Sequence, residues 1–316
     1  MVKVLVAAQE GEQYFDLLND LPGVEIARAA PGEAVDRIGD AEVFFGFPTR
    51  ELLLAAPKLR WIQSPSAGVD YLFRLPELRD SDIILTNARG AHGPSIGEHV
   101  FALLLALTRG IPVDLSWQRH HHWGHDEAYR TLTEIRGATL GIIGYGSIGR
   151  AVARRARGFE MEVLAVDSHP VLAEPYVNEV LSPRNLDDLL GASDVVVVAA
   201  PYTPQIHHLL DAAALAKLRP GSFLIVVSRG GIVDEAALAE ALRSGRLAGA
   251  ALDVTEQEPL PPDSPLWEVP NLIITPHVAG ASAQKERRVV EIFRDNLLRY
   301  LHGEPLRNLV DKERGY

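Results

Sequence analysis

Three charged residues in the second half of the chain suit one kind of chemistry. Arg229 follows the apolar run Phe223-Leu-Ile-Val-Val-Ser and precedes Gly230-Gly231. Glu258 sits in Asp253-Val-Thr-Glu-Gln-Glu258-Pro259, and His277 in Ile274-Thr-Pro276-His277-Val-Ala-Gly280. Adding a hydride to the carbonyl carbon of a small keto acid leaves negative charge on oxygen. That oxygen then needs a proton from a group titrating near neutrality, for which histidine is the usual choice. A carboxylate on the far ring nitrogen favours imidazolium and fixes the ring, a role open to Glu258. An arginine grips the substrate carboxylate in bidentate fashion and polarises the carbonyl, which the point charge of lysine does not copy. Taken singly, the three could be a surface ion-pair residue, a loop charge and a satisfied buried histidine. Their company is what favours chemistry.

That company is a nucleotide motif upstream. Thr139-Leu-Gly-Ile-Ile-Gly144-Tyr-Gly146-Ser147-Ile148-Gly149-Arg-Ala-Val-Ala reads as a strand, a glycine-rich turn and a helix start. A lone GxGxxG is weak, but the strand before it and the helix after it are the context that gives it meaning. Gly144 allows the tight turn, Gly146 the approach of a pyrophosphate, and Gly149 the packing of helix on strand. Ser147 and Ile148 open the helix, whose unpaired N–H groups suit phosphates. The next apolar run, Glu162-Val-Leu-Ala-Val, ends at Asp167, which lies 167 − 149 = 18 residues past the last glycine. A carboxylate about 20 residues on accepts from the ribose 2′-OH and repels a 2′-phosphate. No arginine follows it, only Ser168 and His169, so the expected cofactor is NAD.

The elements that must hold these residues alternate. Candidate strands are Val2–Ala7, Ala41–Phe45, Trp61–Gln63, Ile83–Thr86, Thr139–Ile143, Glu162–Val166, Asp194–Ala199, Phe223–Val227, Ala250–Leu252 and Leu272–Ile274. Many are unbroken Val/Ile/Leu runs, the pattern of strands buried on both faces of a parallel sheet. Helical stretches lie between them, such as Asp234–Ser244 ended by Gly245. The expected fold is α/β, with two Rossmann-like or flavodoxin-like domains built on parallel sheets. Ser95-Ile-Gly97-Glu98 reads as a capping box that opens an apolar helix running to Thr108. A second connector spans 282–301. The expected division is a discontinuous substrate domain of 1–98 plus 285–316 around a cofactor domain of 99–284, with a hinge at the crossings. The 95–108 helix is uncharged from Val100 to Leu107, so it should be covered on all sides, by the two domains or by a second subunit.

Composition excludes several classes. The 316 residues carry a net charge of −11, which argues against a nucleic-acid surface but leaves room for a local arginine to capture a small anion. There are no cysteines, so disulfides, thiolate catalysis and Cys-based zinc sites are excluded. The longest apolar run, Val100–Leu107, is far short of a membrane span, and the opening Met1–Ala8 reads as a strand rather than a signal peptide. A cytoplasmic protein with no membrane or nucleic-acid partner is expected.

With these residues in place, the chain resembles the D-isomer-specific 2-hydroxyacid dehydrogenases. The matching segments are Ser66-Ala-Gly-Val-Asp70, Ser95-Ile-Gly-Glu-His-Val, Gly141–Gly149, Ser228-Arg-Gly-Gly-Ile-Val-Asp234, Leu252-Asp-Val-Thr-Glu-Gln-Glu-Pro-Leu260, Ser264-Pro-Leu-Trp267 and Thr275-Pro-His-Val-Ala-Gly280. They span most of the chain in the family's order. The resemblance implies that Arg229, Glu258 and His277 are the catalytic trio. It also implies that Asp253 holds the nicotinamide carboxamide and that Ala67 and Gly68 offer backbone N–H groups to the substrate carboxylate. Thr203 and the backbone of Val227 would line the cofactor cleft. It further implies a homodimer formed through the cofactor domain, with the segment about Trp117–Tyr129 reaching over the partner. The family usually has Asn where Val226 stands, Ala where Gly97 stands and an aromatic where Thr255 stands; none of these departures touches the charged trio. Glu258 argues against the related formate dehydrogenases, which pair their histidine with glutamine. The long, serine-regulated phosphoglycerate dehydrogenases are not expected either, for want of a regulatory domain. The expected function is hydride transfer between NAD(H) and a small 2-keto or D-2-hydroxy acid, glyoxylate- or hydroxypyruvate-like. The alternative is an NAD-sensing binding protein of the corepressor type.

His120-His-His-Trp-Gly-His125 invites a metal reading, because His121 and His125 would share a helical face. Gly124 weakens that helix, so a solvated or subunit-contact segment, and no metal site, is expected. Asp167 generates a test. kcat/KM with NADH should exceed that with NADPH by tenfold or more, about 1.4 kcal/mol, and Asp167→Ala should narrow the gap. A tenfold preference for NADPH would exclude the 2′-OH reading.

Overall fold

The computed structural model describes residues 1–8, 11–129 and 131–315 of the chain, which separate into two compact units. Unit 1 comprises Met1–His92 and Ala281–Tyr316, and unit 2 is Gly93–Gly280. These breaks lie six and four residues before the boundaries expected from the sequence, 98/99 and 284/285. The shift has a local cause. The whole helix Gly93–Thr108 packs on the helix Ser147–Ala156 of unit 2. Gly93 and Gly97 permit this close approach, since a Cβ on either would lie 3.1–3.2 Å from Ser147 or Ala151 carbonyl oxygens.

Unit 1 carries β1 (Val2–Ala7), β2 (Val24–Arg28), β3 (Val43–Gly46), β4 (Trp61–Gln63) and β5 (Ile84–Thr86). Among the described residues they form one parallel sheet in the order β2-β1-β3-β4-β5, the flavodoxin-type winding. The helix Ala283–His302 packs on this sheet through Phe293, which stacks on Phe45 at 4.6 Å and meets Trp61 at 5.6 Å. The polar groups in this core are paired. Trp61 Nε1 donates to Thr86 Oγ1 at 2.8 Å, and both Thr86 Oγ1 and Asn296 Nδ2 donate to Gln63 Oε1.

Unit 2 carries β6 (Thr139–Ile143), β7 (Glu162–Val166), β8 (Glu179–Leu181), β9 (Val195–Val198), β10 (Ser222–Val226), β11 (Leu247–Leu252) and β12 (Leu272–Ile274). Their parallel order is β8-β7-β6-β9-β10-β11-β12. Chain order reverses between β6 and β9, which is the topological switch point where doubly wound sheets bind ligands. Val195–Val198 are all buried, as the unbroken apolar run predicts.

Two strands escape the sequence reading. β2 reads Val-Glu-Ile-Ala-Arg with mostly exposed residues, and β8 has three residues; both are sheet edges, where the apolar signal is weakest. The capping box is also corrected. Ser95 lies inside the helix, which starts at Gly93-Pro94, and its Oγ donates to the Gly280 carbonyl at 3.1 Å. Glu98 turns outward to pair with Arg155 at 2.9 Å, whose guanidinium occupies space that a Cβ at position 97 would invade. No single helix among the described residues is long and apolar enough to cross a membrane.

Candidate active site

The candidate residues of unit 2 sit beyond the carboxyl ends of its strands. Gly144 follows β6 and Asp167 follows β7; Arg229 lies beyond β10, Asp253 and Glu258 beyond β11, and His277 beyond β12. Sheet geometry therefore gathers positions that are far apart in sequence.

At the switch point, Gly144 has φ +94°, and a Cβ there would strike Ala200 N at 2.5 Å. A Cβ on Gly149 would meet the Gly144 carbonyl at 2.3 Å. Gly146 differs, being exposed with nothing within 4 Å of where a Cβ would stand. It is the N-cap of the ten-residue helix Ser147–Ala156, and no side chain caps that end. Ser147 and Ile148 are half-buried in the first turn. Open space over uncapped N–H groups at a positive helix end fits a pyrophosphate. Asp167 Oδ2 accepts from Tyr145 N–H at 2.8 Å and Oδ1 from His169 N–H at 2.9 Å, so the carboxylate is fixed while each oxygen keeps a lone pair for a diol. The Tyr145 ring is buried under the Arg150 guanidinium, and burial raises its phenol above the ordinary value. Val227 is buried at the end of β10 and Thr203 is half-buried after β9. Ser228 Oγ is buried with no hydrogen-bond partner among the described residues.

His277 and Glu258 are in contact, with His277 Nδ1 2.8 Å from Glu258 Oε2. Glu258 Oε1 accepts from Thr255 N–H at 3.1 Å, so the carboxylate is itself oriented by its loop. The threonine standing where the family usually has an aromatic also closes that loop, through Oγ1 to the Gln257 carbonyl at 2.8 Å. Nδ1 facing the carboxylate leaves Nε2 as the nitrogen for a reacting proton. Arg229 follows the strand next to the one that Glu258 follows, and its Nη1 donates to the Ser228 carbonyl at 2.7 Å. The following Gly230 is pressed on the other loop so closely that a Cβ would lie 2.0 Å from the Thr255 carbonyl.

Asp253 has a task the sequence reading does not contain. Its side chain is 1% exposed. Oδ1 accepts from Thr275 Oγ1 at 2.6 Å and Val278 N–H at 3.0 Å, and Oδ2 accepts from Ala279 N–H at 2.9 Å. The Asp253 carbonyl takes the His277 N–H at 2.8 Å. The loop bearing His277, whose φ is +52°, is thus tied down on both sides of the histidine. Three of the carboxylate's four lone-pair positions are used, leaving one on Oδ2 for a ligand amide. Behind it, His99 Nε2 stands 3.0 Å from Thr275 Oγ1. Since the hydroxyl proton goes to Asp253, His99 must donate here, which assigns its tautomer. Both Thr275 and His99 belong to recognisable segments, but 176 residues separate them and nothing local signals the contact.

In unit 1, Gly68 N–H donates to Ser66 Oγ at 3.2 Å and the Ala67 carbonyl accepts from Asn87 Nδ2 at 2.8 Å. The turn is therefore held rigid, and an incoming carboxylate would share the Gly68 N–H with a hydroxyl. In the histidine-rich segment the helix Ile111–Arg119 ends before His121, which has φ +54°, and a new helix starts at His125. His121 and His125 therefore do not share a helical face. His122 pairs with Glu127 at 3.4 Å and His125 with Asp126 at 2.9 Å.

Residues 101–279 match the family model described as D-isomer specific 2-hydroxyacid dehydrogenase, NAD binding domain. A glyoxylate reductase of Korarchaeum cryptofilum is 35% identical over 88% of this chain and 85% of its own. A crystal structure of a D-isomer specific 2-hydroxyacid dehydrogenase family protein from Aeromonas salmonicida is 38% identical, covers 98% of this chain and 99% of its own, and superimposes with a TM-score of 0.86. An NADPH-dependent glyoxylate/hydroxypyruvate reductase from Sinorhizobium meliloti, solved with NADP and sulfate, is 29% identical over the full length of both chains with a TM-score of 0.86.

The Asp253 clamp generates a test. Asp253→Asn places an amide N–H₂ against backbone donors and should cost about 1–3 kcal/mol. That corresponds to a fall of about 2–10 °C in the melting temperature of a unit of this size, read by calorimetry without cofactor. An unchanged melting temperature would mean that the loop is held by other contacts.

Proposed function

This chain belongs to the D-isomer specific 2-hydroxyacid dehydrogenase family and is a nicotinamide-dinucleotide-dependent oxidoreductase of 2-hydroxy and 2-keto acids, and on that premise we propose that it reduces a small glyoxylate- or hydroxypyruvate-like acid with NADH. The observation that carries the mechanism is the 2.8 Å contact between His277 Nδ1 and Glu258. The nicotinamide, when bound, supplies the hydride. His277 Nε2 delivers the proton to the carbonyl oxygen, and Glu258 holds the ring and favours its protonated form. Arg229 binds the substrate carboxylate and polarises the carbonyl. Ala67 and Gly68 are the proposed backbone donors to the same carboxylate, and Asp253 offers its remaining lone pair to the carboxamide. Gly146, Ser147 and Ile148 take the pyrophosphate on the turn that the packed Gly144 and Gly149 shape, Thr203 and Val227 flank it, and Asp167 takes the ribose diol. Asp167 is the reason for choosing NADH although the Sinorhizobium meliloti relative is NADPH-dependent. The relatives are named as reductases and dehydrogenases, so the cofactor-sensing alternative gains no support.

We also propose a homodimer, on different grounds from those the sequence offers. The helix Gly93–Thr108 is largely covered within unit 2, with Leu105, Ala106 and Leu107 half-buried. The apolar surface lies further on, where Ile111, Val113, Leu115, Trp123 and Tyr129 are 44–90% exposed. Several large apolar side chains exposed within one short stretch of chain favour an interface, and a two-fold pair of chains is the commonest way to cover one.

A panel of 2-keto acids followed by NADH oxidation tests the activity, and turnover of none would overturn it. His277→Asn should leave NADH binding nearly intact and lower kcat by about 10²–10⁴. Asparagine tolerates the left-handed backbone at this position, so the change isolates the imidazole. Arg229→Lys should chiefly damage kcat/KM. Light scattering at micromolar concentration should give twice the mass of one chain; a mass of one chain that persists as concentration rises would remove the dimer.

A further inference from the structure

Among the described residues, one cluster of metal-binding side chains outside the trio converges in unit 2. His207, His208 and Glu256 each offer a ligand atom, and all three atoms lie within 4.8 Å of one another. His208 Nε2 is 3.4 Å from Glu256 Oε2, and His207 Nε2 is 3.9 Å from Glu256 Oε1. Ligands about 2.0–2.1 Å from a tetrahedral Zn²⁺ stand about 3.3 Å from each other. The His208–Glu256 separation already matches one edge of that tetrahedron; His207 contacts the other carboxylate oxygen, so this exposed side chain must move to bring the three atoms, now within 4.8 Å of one another, to the same spacing.

The backbone builds this arrangement. Neighbouring side chains of an extended chain point to opposite sides. His208 instead has φ +51°, and its N–H donates to the Gly231 carbonyl at 2.8 Å. The two imidazoles consequently lie on the same side, stacked at 3.9 Å with 21° between their planes, and a turn of the exposed His207 ring would bring its nitrogen to an ion shared with His208. Tyr202 Oη lies 3.4 Å from His207 Nδ1, the outer-ring contact that orients a ligating histidine. On the opposite side, Glu235 Oε1 accepts the Glu256 N–H at 2.6 Å, which adds a second carboxylate to the cluster.

We propose that His207, His208 and Glu256 form a three-ligand site for a borderline transition-metal dication of the Zn²⁺ class. Two imidazoles and a carboxylate suit Zn²⁺ and do not suit Mg²⁺ or Ca²⁺, which take oxygen ligands. The ion joins the segment after β9 to the loop after β11, where His207 and His208 already approach Glu256. It is distinct from the trio, since Glu258 keeps its own partners Thr255 and His277.

The test uses the full chain, freed of metal by chelator and titrated with Zn²⁺ by calorimetry, with Co²⁺ absorption as a second readout. One ion should bind per chain and raise the melting temperature. His207→Ala and Glu256→Gln should each weaken binding at least tenfold and abolish the thermal shift. His208→Asn, which tolerates the left-handed backbone, should do the same. The paired variant His122→Gln/His125→Gln should leave binding unchanged. Absence of Zn²⁺ binding, binding that survives His207→Ala, or binding lost in the paired variant would each overturn the proposal, the last by moving the ion to the histidine-rich segment. Because His207 is exposed, its variant decides the matter even if the Glu256 variant proves unstable.

Discussion

A carboxylate shut away from water must be surrounded by donors, or its desolvation would cost more than a fold can bear. Asp253 meets that requirement with the hydroxyl of Thr275 and the N–H groups of Val278 and Ala279. The donors are supplied by the loop that carries His277, so satisfying the charge and positioning the histidine are one event. Without it, a residue at φ +52° in an exposed loop would sample other conformations. The contact between His277 and Glu258 is meaningful only because both flank this anchor, one in the loop after each of two adjacent strands.

Adjacency itself comes from the parallel sheet. Strands β10, β11 and β12 run side by side, and each ends in the same direction, so residues just past their ends share one rim. The spacing is tightened where side chains would interfere. Gly230 lies against the Thr255 carbonyl, which brings the backbone after Arg229 onto the loop that orients Glu258. The same economy operates at the phosphate turn, where Gly144 and Gly149 pack on backbone and only Gly146 faces open space. Glycine thus has two uses at this turn, close packing at two positions and ligand approach at one.

The rim is also where opposite demands on charge meet. The protein carries a net charge of −11, yet its proposed substrates are anions. The balance is struck locally, by Arg229 and by the helix N-terminus beyond Gly146, and both effects fall off within a turn or a Debye length. Carboxylates crowd a little further along, at Glu235 and Glu256, where burial and the mutual repulsion of the two raise the Glu235 carboxyl. Two histidines stand beside them, His208 Nε2 at 3.4 Å and His207 Nε2 at 3.9 Å from the Glu256 carboxylate.

The sequence by itself determined what periodicity and short motifs can carry. Valine and isoleucine runs specified buried parallel strands, since no polar alternation was available for a solvated face. The glycine turn with Asp167 pointed to a dinucleotide site, and the order of segments around Arg229, Glu258 and His277 pointed to hydride chemistry on a keto acid. Edge strands β2 and β8 stayed invisible because exposed strands carry no apolar signature. Only tertiary structure decided which polar group satisfies which. Ser95 reads as a cap until Pro94 starts the helix earlier and its hydroxyl finds the Gly280 carbonyl 185 residues away. Asp253 reads as a ligand-binding loop acid until its oxygens are counted. His207 and His208 read as a polar dipeptide until Glu256 arrives from 48 residues downstream. Hydrogen-bond partners across such distances are fixed by how sheets stack loops in space, and no local propensity encodes them.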